Sequence, residues 1–256
     1  MKLSICAQSH VGLVRTNNED MVLIGTRQVR DEVYEVEIAL SHDTPYVIAL
    51  ADGMGGHNAG EVASEETLKS LAEFVGTLPR GLSVEELTAT FGQWIRATHT
   101  HLQQMGDADP ACAGMGTTLV GMCLYEGRMY WMNCGDSRIY RMSGGELRQL
   151  SEDHSYERMT GRKDCPNVIT NCVGCGEDVY LDMSPILPTY GDDEGDTVYL
   201  LCSDGLTDLI PDEQLSRFLR ADLTAPALVR AALGAGGRDN VSAVTVKVKS
   251  EERRIQ

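Results

Sequence analysis

Three short motifs, spread across the chain, each carry an aspartate at or near the end of an apolar run: Ala51-Asp52-Gly53-Met54-Gly55-Gly56, Cys202-Ser203-Asp204-Gly205 and Gly237-Arg238-Asp239-Asn240. Glycine or another turn-forming residue stands beside each carboxylate, which is the pattern of a strand handing over to a loop. A carboxylate at the end of a buried strand needs a cation or several hydrogen bonds to offset its loss of water. One such aspartate would be read as a turn or helix cap. Three in the same setting predict a single acidic site assembled by the fold, and the chemistry of a metal-dependent hydrolase.

The apolar patterning predicts the elements around these motifs. Leu3 to Gln8 alternates as a strand, Met21 to Ile24 is a second apolar stretch, and Tyr46 to Ala51 is nearly all apolar, as in a strand buried on both faces that ends at Asp52. From Gly60, apolar residues recur at helical spacing until Gly76 and Pro79, and a second helix is expected from Ser83, with Glu86 completing a capping box, to about Met105. Thr117–Tyr125, Arg128–Cys134 and Arg138–Met142 read as an antiparallel meander with turns at Glu126-Gly127 and Gly135-Asp136-Ser137. Residues 152–185 show no period and read as an irregular excursion. Thr197–Cys202 is a strand, helices follow near Pro211–Arg220 and Pro226–Leu233, and Val241–Val248 is a last strand. Strands at both ends, without regular strand-helix alternation, predict an α+β fold with antiparallel sheets covered by helices.

Composition narrows the function. The net charge of -16 argues against binding a nucleic-acid backbone or an anionic membrane through a general field. No apolar run approaches the roughly 20 residues needed to cross a bilayer, and the first residues lack a signal-peptide core, so a cytoplasmic protein is expected. No linker divides the chain, which predicts one domain over residues 1–256. The lack of a heptad pattern makes a monomer the expectation. Eight cysteines in a chain of this length do not form a dense disulfide framework, and reduced, buried thiols are expected. Cys172-Val173-Gly174-Cys175, with Cys165 upstream, has the spacing of half a zinc site, of a redox pair, or of ordinary thiols. His99 and His101, two apart on a helix, point to different sides and disfavour a shared metal.

Asp52, Asp204 and Asp239 offer the oxygens that Mg²⁺ or Mn²⁺ prefers. If one carboxylate bridges two metals about 3.5–4 Å apart, a shared water can be deprotonated near neutral pH and attack phosphorus. Arg15, in a polar loop with Glu19 and Asp20, is the candidate for a bidentate phosphate contact, with a surface ion pair to Glu19 or Asp20 as the alternative. From the residues alone, Asp136 is read as the cap of a tight hairpin.

The stretch GLVRTNNED at 12–20, ADGMGGHNAGEVAS at 51–64, GMGTTLV at 114–120, NCGDSRIYR at 133–141, CSDGLTD at 202–208 and GGRDNVSAV at 236–244 resembles the bacterial branch of the type 2C (PPM) metal-dependent serine/threonine protein phosphatases. Six motifs in the family's order cover most of the chain. The resemblance implies a central β-sandwich of two antiparallel sheets with helices on both outer faces, a four-layer α-β-β-α arrangement. It implies a binuclear Mn²⁺ or Mg²⁺ centre, with Asp52 bridging, Gly53 contributing its carbonyl, and Asp204 and Asp239 as ligands. Asp20 matches a position that holds a metal-bound water, and Glu19 does the same or binds directly. Asp136, together with Asp204, matches residues associated with a third, weaker metal, and Arg15 matches the phosphate-binding arginine. Animal relatives place a histidine after the Asp-Gly pair where this chain has Met54, so the leaving group's proton must come from elsewhere; a metal-bound water is the first reading, and His57, close in sequence but not assured of pointing into the site, the second. Residues 154–183 take the place of the family's substrate-proximal flap.

The implied function is hydrolysis of phosphoserine and phosphothreonine in proteins, opposing a bacterial kinase. The alternatives are a catalytically silent phosphoprotein sensor or scaffold, and a small-molecule phosphomonoesterase.

Overall fold

The computed structural model describes residues 1–55, 59–162, 168–187 and 197–249. His57 and Cys165 lie outside them. One sheet comprises β1 (Lys2–His10), β4 (Val33–Ala39), β9 (Arg138–Ser143), β10 (Glu146–Gln149), β12 (Thr197–Cys202) and β13 (Val241–Lys249), in spatial order β10-β9-β12-β13-β1-β4. The other comprises β2 (Asp20–Ile24), β3 (Arg27–Val29), β5 (Tyr46–Met54), β7 (Leu119–Tyr125), β8 (Arg128–Cys134) and β11 (Asp182–Pro185), in order β11-β8-β7-β5-β2-β3, with β6 (Gly116–Thr117) paired to the end of β5. All the pairings are antiparallel. The helices are α1 (Ala59–Gly76), α2 (Val84–Ala108), α3 (Tyr156–Thr160), α4 (Asp204–Thr207), α5 (Asp212–Arg220) and α6 (Ala225–Gly234).

The two-residue period of a strand explains why the central runs are apolar on every residue. In β5, Ile48 and Leu50 face the opposing sheet and meet Val22, Val120, Tyr199 and Val244 in the sandwich interior. The intervening Val47, Ala49 and Ala51 face outward and are covered by Leu68 and Leu71 of α1 and Phe91 of α2. The other sheet does the same: Tyr199 and Leu201 point inward, while Leu200 and Cys202 pack beneath Leu206, Leu215 and Leu228 of α4, α5 and α6. Fully burying each such aliphatic chain is worth about 1.5–3 kcal/mol. The four layers expected from the resemblance are therefore present.

The capping box of α2 forms as read: Ser83 Oγ accepts from the Glu86 N–H at 3.1 Å, and the Glu86 carboxylate accepts from the Ser83 N–H at 2.8 Å. Five expectations need correction. β5 continues past Asp52, because Gly53 and Met54 pair with Thr117 and Gly116. The meander breaks after β8: β11 takes the edge of β8, and β9 crosses to the other sheet to pair with β12. Residues 27–39, given no element by the apolar pattern, form β3 and β4, with Glu35 and Glu37 on the exposed face of the edge strand β4. The 152–185 excursion contains α3 and β11, and Cys172 and Cys175 are joined in a disulfide rather than held as thiols. Among the described residues no helix is long and apolar enough to cross a membrane.

Candidate metal centre

Both sheets deliver acidic ends to one edge of the sandwich. Asp20 opens β2 directly opposite Asp52 in the antiparallel register of β5. In the other sheet, β12 runs into Ser203 and then Asp204, the first residue of α4, while Asp239 stands two residues before β13. Ser203 ties the layers together: its N–H donates to the Ser242 carbonyl at 3.1 Å, its Oγ accepts from the Ser242 N–H at 3.0 Å, and its hydroxyl donates across to Asp20 Oδ2 at 2.8 Å. Asp136 lies on the crossover from β8 to β9, so the hairpin-cap reading does not hold.

The backbone at Asp52 is held firmly. Its N–H donates to Thr118 Oγ1 at 3.0 Å, and its carbonyl accepts from the Thr118 N–H and the Thr117 hydroxyl, both at 2.9 Å. Gly53 donates to the Glu19 carbonyl at 3.2 Å, and a Cβ there would run into the Gly60 carbonyl at the start of α1, so only glycine fits. Asn240 fastens the loop that carries Arg15: its Oδ1 accepts from the Glu19 N–H at 2.8 Å, and its Nδ2 donates to the carbonyls of Val11 and Asn17, each at 2.9 Å.

The electrostatics show carboxylates crowded without enough positive charge. Burial raises the Asp20 pKa above the ordinary carboxylate range against the hydroxyls of Ser242 and Ser203, and Asp204 and Asp239 push it further. Asp52 is raised well above that range by burial and by Asp20, Asp204, Asp136 and Asp239. Asp204 is raised by burial, Asp208 and Asp239, and Asp136 by burial, Asp204 and Asp153 to about 7. Burial also raises Glu19, against the pull of Arg15 and the Gly60 N–H. Asp20 is wholly buried, and its Oδ1 has no hydrogen-bond partner among the described residues.

These features fit a hard divalent cation. The donors are all oxygens, one buried lone pair is unused, and a cation would relieve the mutual repulsion. As the side chains stand, no group of three or more His, Cys, Asp or Glu among the described residues is arranged to hold a metal ion. The rim shows one reason: Asp239 Oδ2 takes Arg15 Nη2 at 2.7 Å, and its Oδ1 takes the Asn240 N–H at 2.8 Å. The arginine's ion pair is thus with Asp239, not with Glu19 or Asp20. Ser203, Ser242, Thr117, Thr118 and Asn240, which position the carboxylates, had no role assigned from sequence; adjacency to a motif aspartate was the available signal for Ser203 and Asn240.

Residues 31–230 match the family model for protein phosphatase 2C. The chain belongs to that family. It is 33% identical to the serine/threonine protein phosphatase PstP of Mycobacterium tuberculosis over 96% of its own length, and it spans about half of that relative, 45%. It is 30% identical to the protein phosphatase PhpP of Streptococcus pneumoniae, covering 98% of this chain and 99% of PhpP. The crystal structure of the PstP catalytic domain in complex with two manganese ions superposes with a TM-score of 0.73 at 31% identity, covering 97% of this chain and all (100%) of the other. The matches to PstP and PhpP span nearly the whole chain, whereas the family model itself stops short of both Arg15 and Asp239.

Proposed function

We propose that this chain, acting as one domain, hydrolyses phosphoserine and phosphothreonine in proteins with the help of bound Mn²⁺ or Mg²⁺. The observation that carries the reading is the convergence of carboxylates from both sheets on one edge, with Arg15 at its mouth. Asp52, the Gly53 carbonyl, Asp204 and Asp239 would hold two cations, with Glu19 assisting and Asp136 serving a weaker third. Bound cations supply Lewis-acid activation of water and neutralise phosphoryl charge.

The chain's own residues do the rest. Arg15, released from Asp239, binds the phosphoryl oxygens through its planar guanidinium. Asp20 orients water through its unpartnered Oδ1. The threonines at 117 and 118 keep Asp52 from yielding as charge develops, the preorganisation on which electrostatic catalysis depends. The segment at 154–183 acts as a flap beside the substrate. The proposed setting is a cytoplasmic monomer opposing a bacterial serine/threonine kinase, whose substrates or whose own phosphorylated residues it would act on.

The test is phosphate release from a phosphothreonine peptide with Mn²⁺, with Mg²⁺ and with EDTA, alongside Asp204→Asn. Metal-dependent release that disappears in the folded variant is expected. No release under any metal would leave the sensor or scaffold reading, and release only from small phosphomonoesters would replace the protein substrate.

A further inference from the structure

The disulfide between Cys172 and Cys175 is not used by the proposed reaction, yet its turn is built onto β6, which pairs in turn with the end of the strand that carries Asp52. Val173, between the two cysteines, pairs with Thr117: each N–H donates to the other's carbonyl at 2.9 Å. Thr117 in turn donates its hydroxyl to the Asp52 carbonyl. The turn is gripped from the other side by α2, where His99 Nδ1 accepts from the Gly174 N–H at 3.0 Å and Gln103 donates to the Gly176 carbonyl at 2.8 Å.

The two sulfurs differ in access. Cys172 is buried, while Cys175 is partly exposed and lines a surface cavity of about 410 Å³ shared with Cys112, Gln103 and Asp107. Behind Cys175 there is no slack. A Cβ on Gly116 would stand 2.6 Å from its Sγ, and Met54 Sδ lies 4.0 Å from it.

We propose that Cys172–Cys175 is a thiol–disulfide exchange site, open at Cys175 to a dithiol reductant, and that its state is transmitted through Val173 and Thr117 to the strand holding Asp52. A thiolate of the reductant attacks Cys175 Sγ, the bond to Cys172 breaks, and its electron pair leaves on Cys172 Sγ, which takes a proton. The Cys175 carbonyl, 3.5 Å from that sulfur, is in place to accept from the new thiol. The reductant's second thiolate then attacks its own sulfur in the mixed disulfide and releases Cys175, which is protonated in turn. The protein disulfide gains two electrons and two protons, and the dithiol becomes a disulfide. Pairs spaced as Cys-X-X-Cys commonly carry a thiol acidic enough for this exchange.

Opening the bond turns bonded sulfurs into non-bonded neighbours, which sit ~3.5–4.0 Å apart. Gly116 and Met54 block Cys175 from retreating inward, so the turn moves outward and loosens the Val173–Thr117 pair. The experiment treats the native full chain with dithiothreitol, maps alkylated cysteines by mass spectrometry, and follows amide hydrogen exchange at Thr117. Cys112 is expected to be alkylated in both states and Cys172 and Cys175 only after dithiothreitol, with Thr117 exchange faster by about tenfold or more as local protection is lost. The Cys172→Ala/Cys175→Ala variant should show the fast exchange without reductant and ignore it. A bond that opens only in denaturant, or that opens natively with Thr117 exchange unchanged, overturns the proposal; the wild-type comparison decides even if the variant does not fold.

Discussion

Asp20 and Asp239 stand at the same edge of the sandwich in opposite circumstances. Asp20 is sealed between the sheets, accepts one hydrogen bond, from Ser203, on Oδ2, and leaves Oδ1 without a partner among the described residues. Asp239 is at the rim, 41% exposed in its side chain, with both oxygens engaged by Arg15 and the Asn240 N–H. The deep carboxylates are held in place by hydroxyls and backbone that cannot neutralise them, whereas the rim carboxylate has an exposed counter-charge in Arg15. A site divided in this way is stiff where a cation must be gripped and exchangeable where a phosphate must enter.

The sharpest break in that comparison is Asp52→Asn. Hydrolysis is expected to fall by about 10³-fold or more, on the scale of losing a principal electrostatic group. In EDTA the same variant should melt higher than wild type, because it removes a buried charge repelled by its neighbours. A lower melting temperature would mean that Asp52 stabilises the fold rather than burdening it. Next in size is Ser203→Ala, which takes a hydrogen bond from Asp20 and an acceptor from the Ser242 N–H. Urea unfolding should show a loss of about 1–3 kcal/mol, with activity reduced much less than by Asp52→Asn.

At the rim, Arg15→Ala should cost no more than about 1 kcal/mol of stability, since an exposed pair contributes little. Its effect should be on KM, about tenfold in a steady-state peptide assay, and Arg15→Lys should restore only part of it because the planar fork is lost. Unchanged KM in Arg15→Ala would confine the arginine to its ion pair with Asp239.

The smallest effect on hydrolysis is expected at a buried group with no charged neighbour among the described residues, which serves as the reference. Burial alone pushes the Cys123 thiol up from 9.0 to about 12. The folded state keeps that proton where the unfolded chain gives it up, so the stabilisation is intact below pH 9 and is lost as pH rises toward 12. Cys123→Ala should flatten the decline in stability above pH 9 by about 1.4 kcal/mol per pH unit at most. Added Mn²⁺ should leave that alkaline limb unchanged while altering the stability of the acidic edge.

What could be read from the sequence was whatever is decided locally. The capping box of α2 and the two-faced burial of β5 follow from spacing alone, and the motif aspartates are recognisable by their turns. The transfer of β9 to the other sheet was invisible, because Gly135-Asp136-Ser137 has the composition of a hairpin turn and only the arrival of β11, some fifty residues later, shows why β8 has no edge left for it. The Arg15 partner was missed for a related reason: Asp239 is distant in sequence and becomes a neighbour only through β13 pairing with β1. The Cys172–Cys175 bond needed the turn geometry that β6 and α2 impose from outside the segment.

The most direct test of the central claim is equilibrium binding of Mn²⁺ to the metal-free chain and to Asp52→Asn, measured by isothermal titration calorimetry. Saturable binding of two ions to the wild type, abolished or reduced to one weak ion in the folded variant, is the predicted result. Equal binding by both proteins would contradict the account, because the acidic edge between the sheets would then not be where the cation is held.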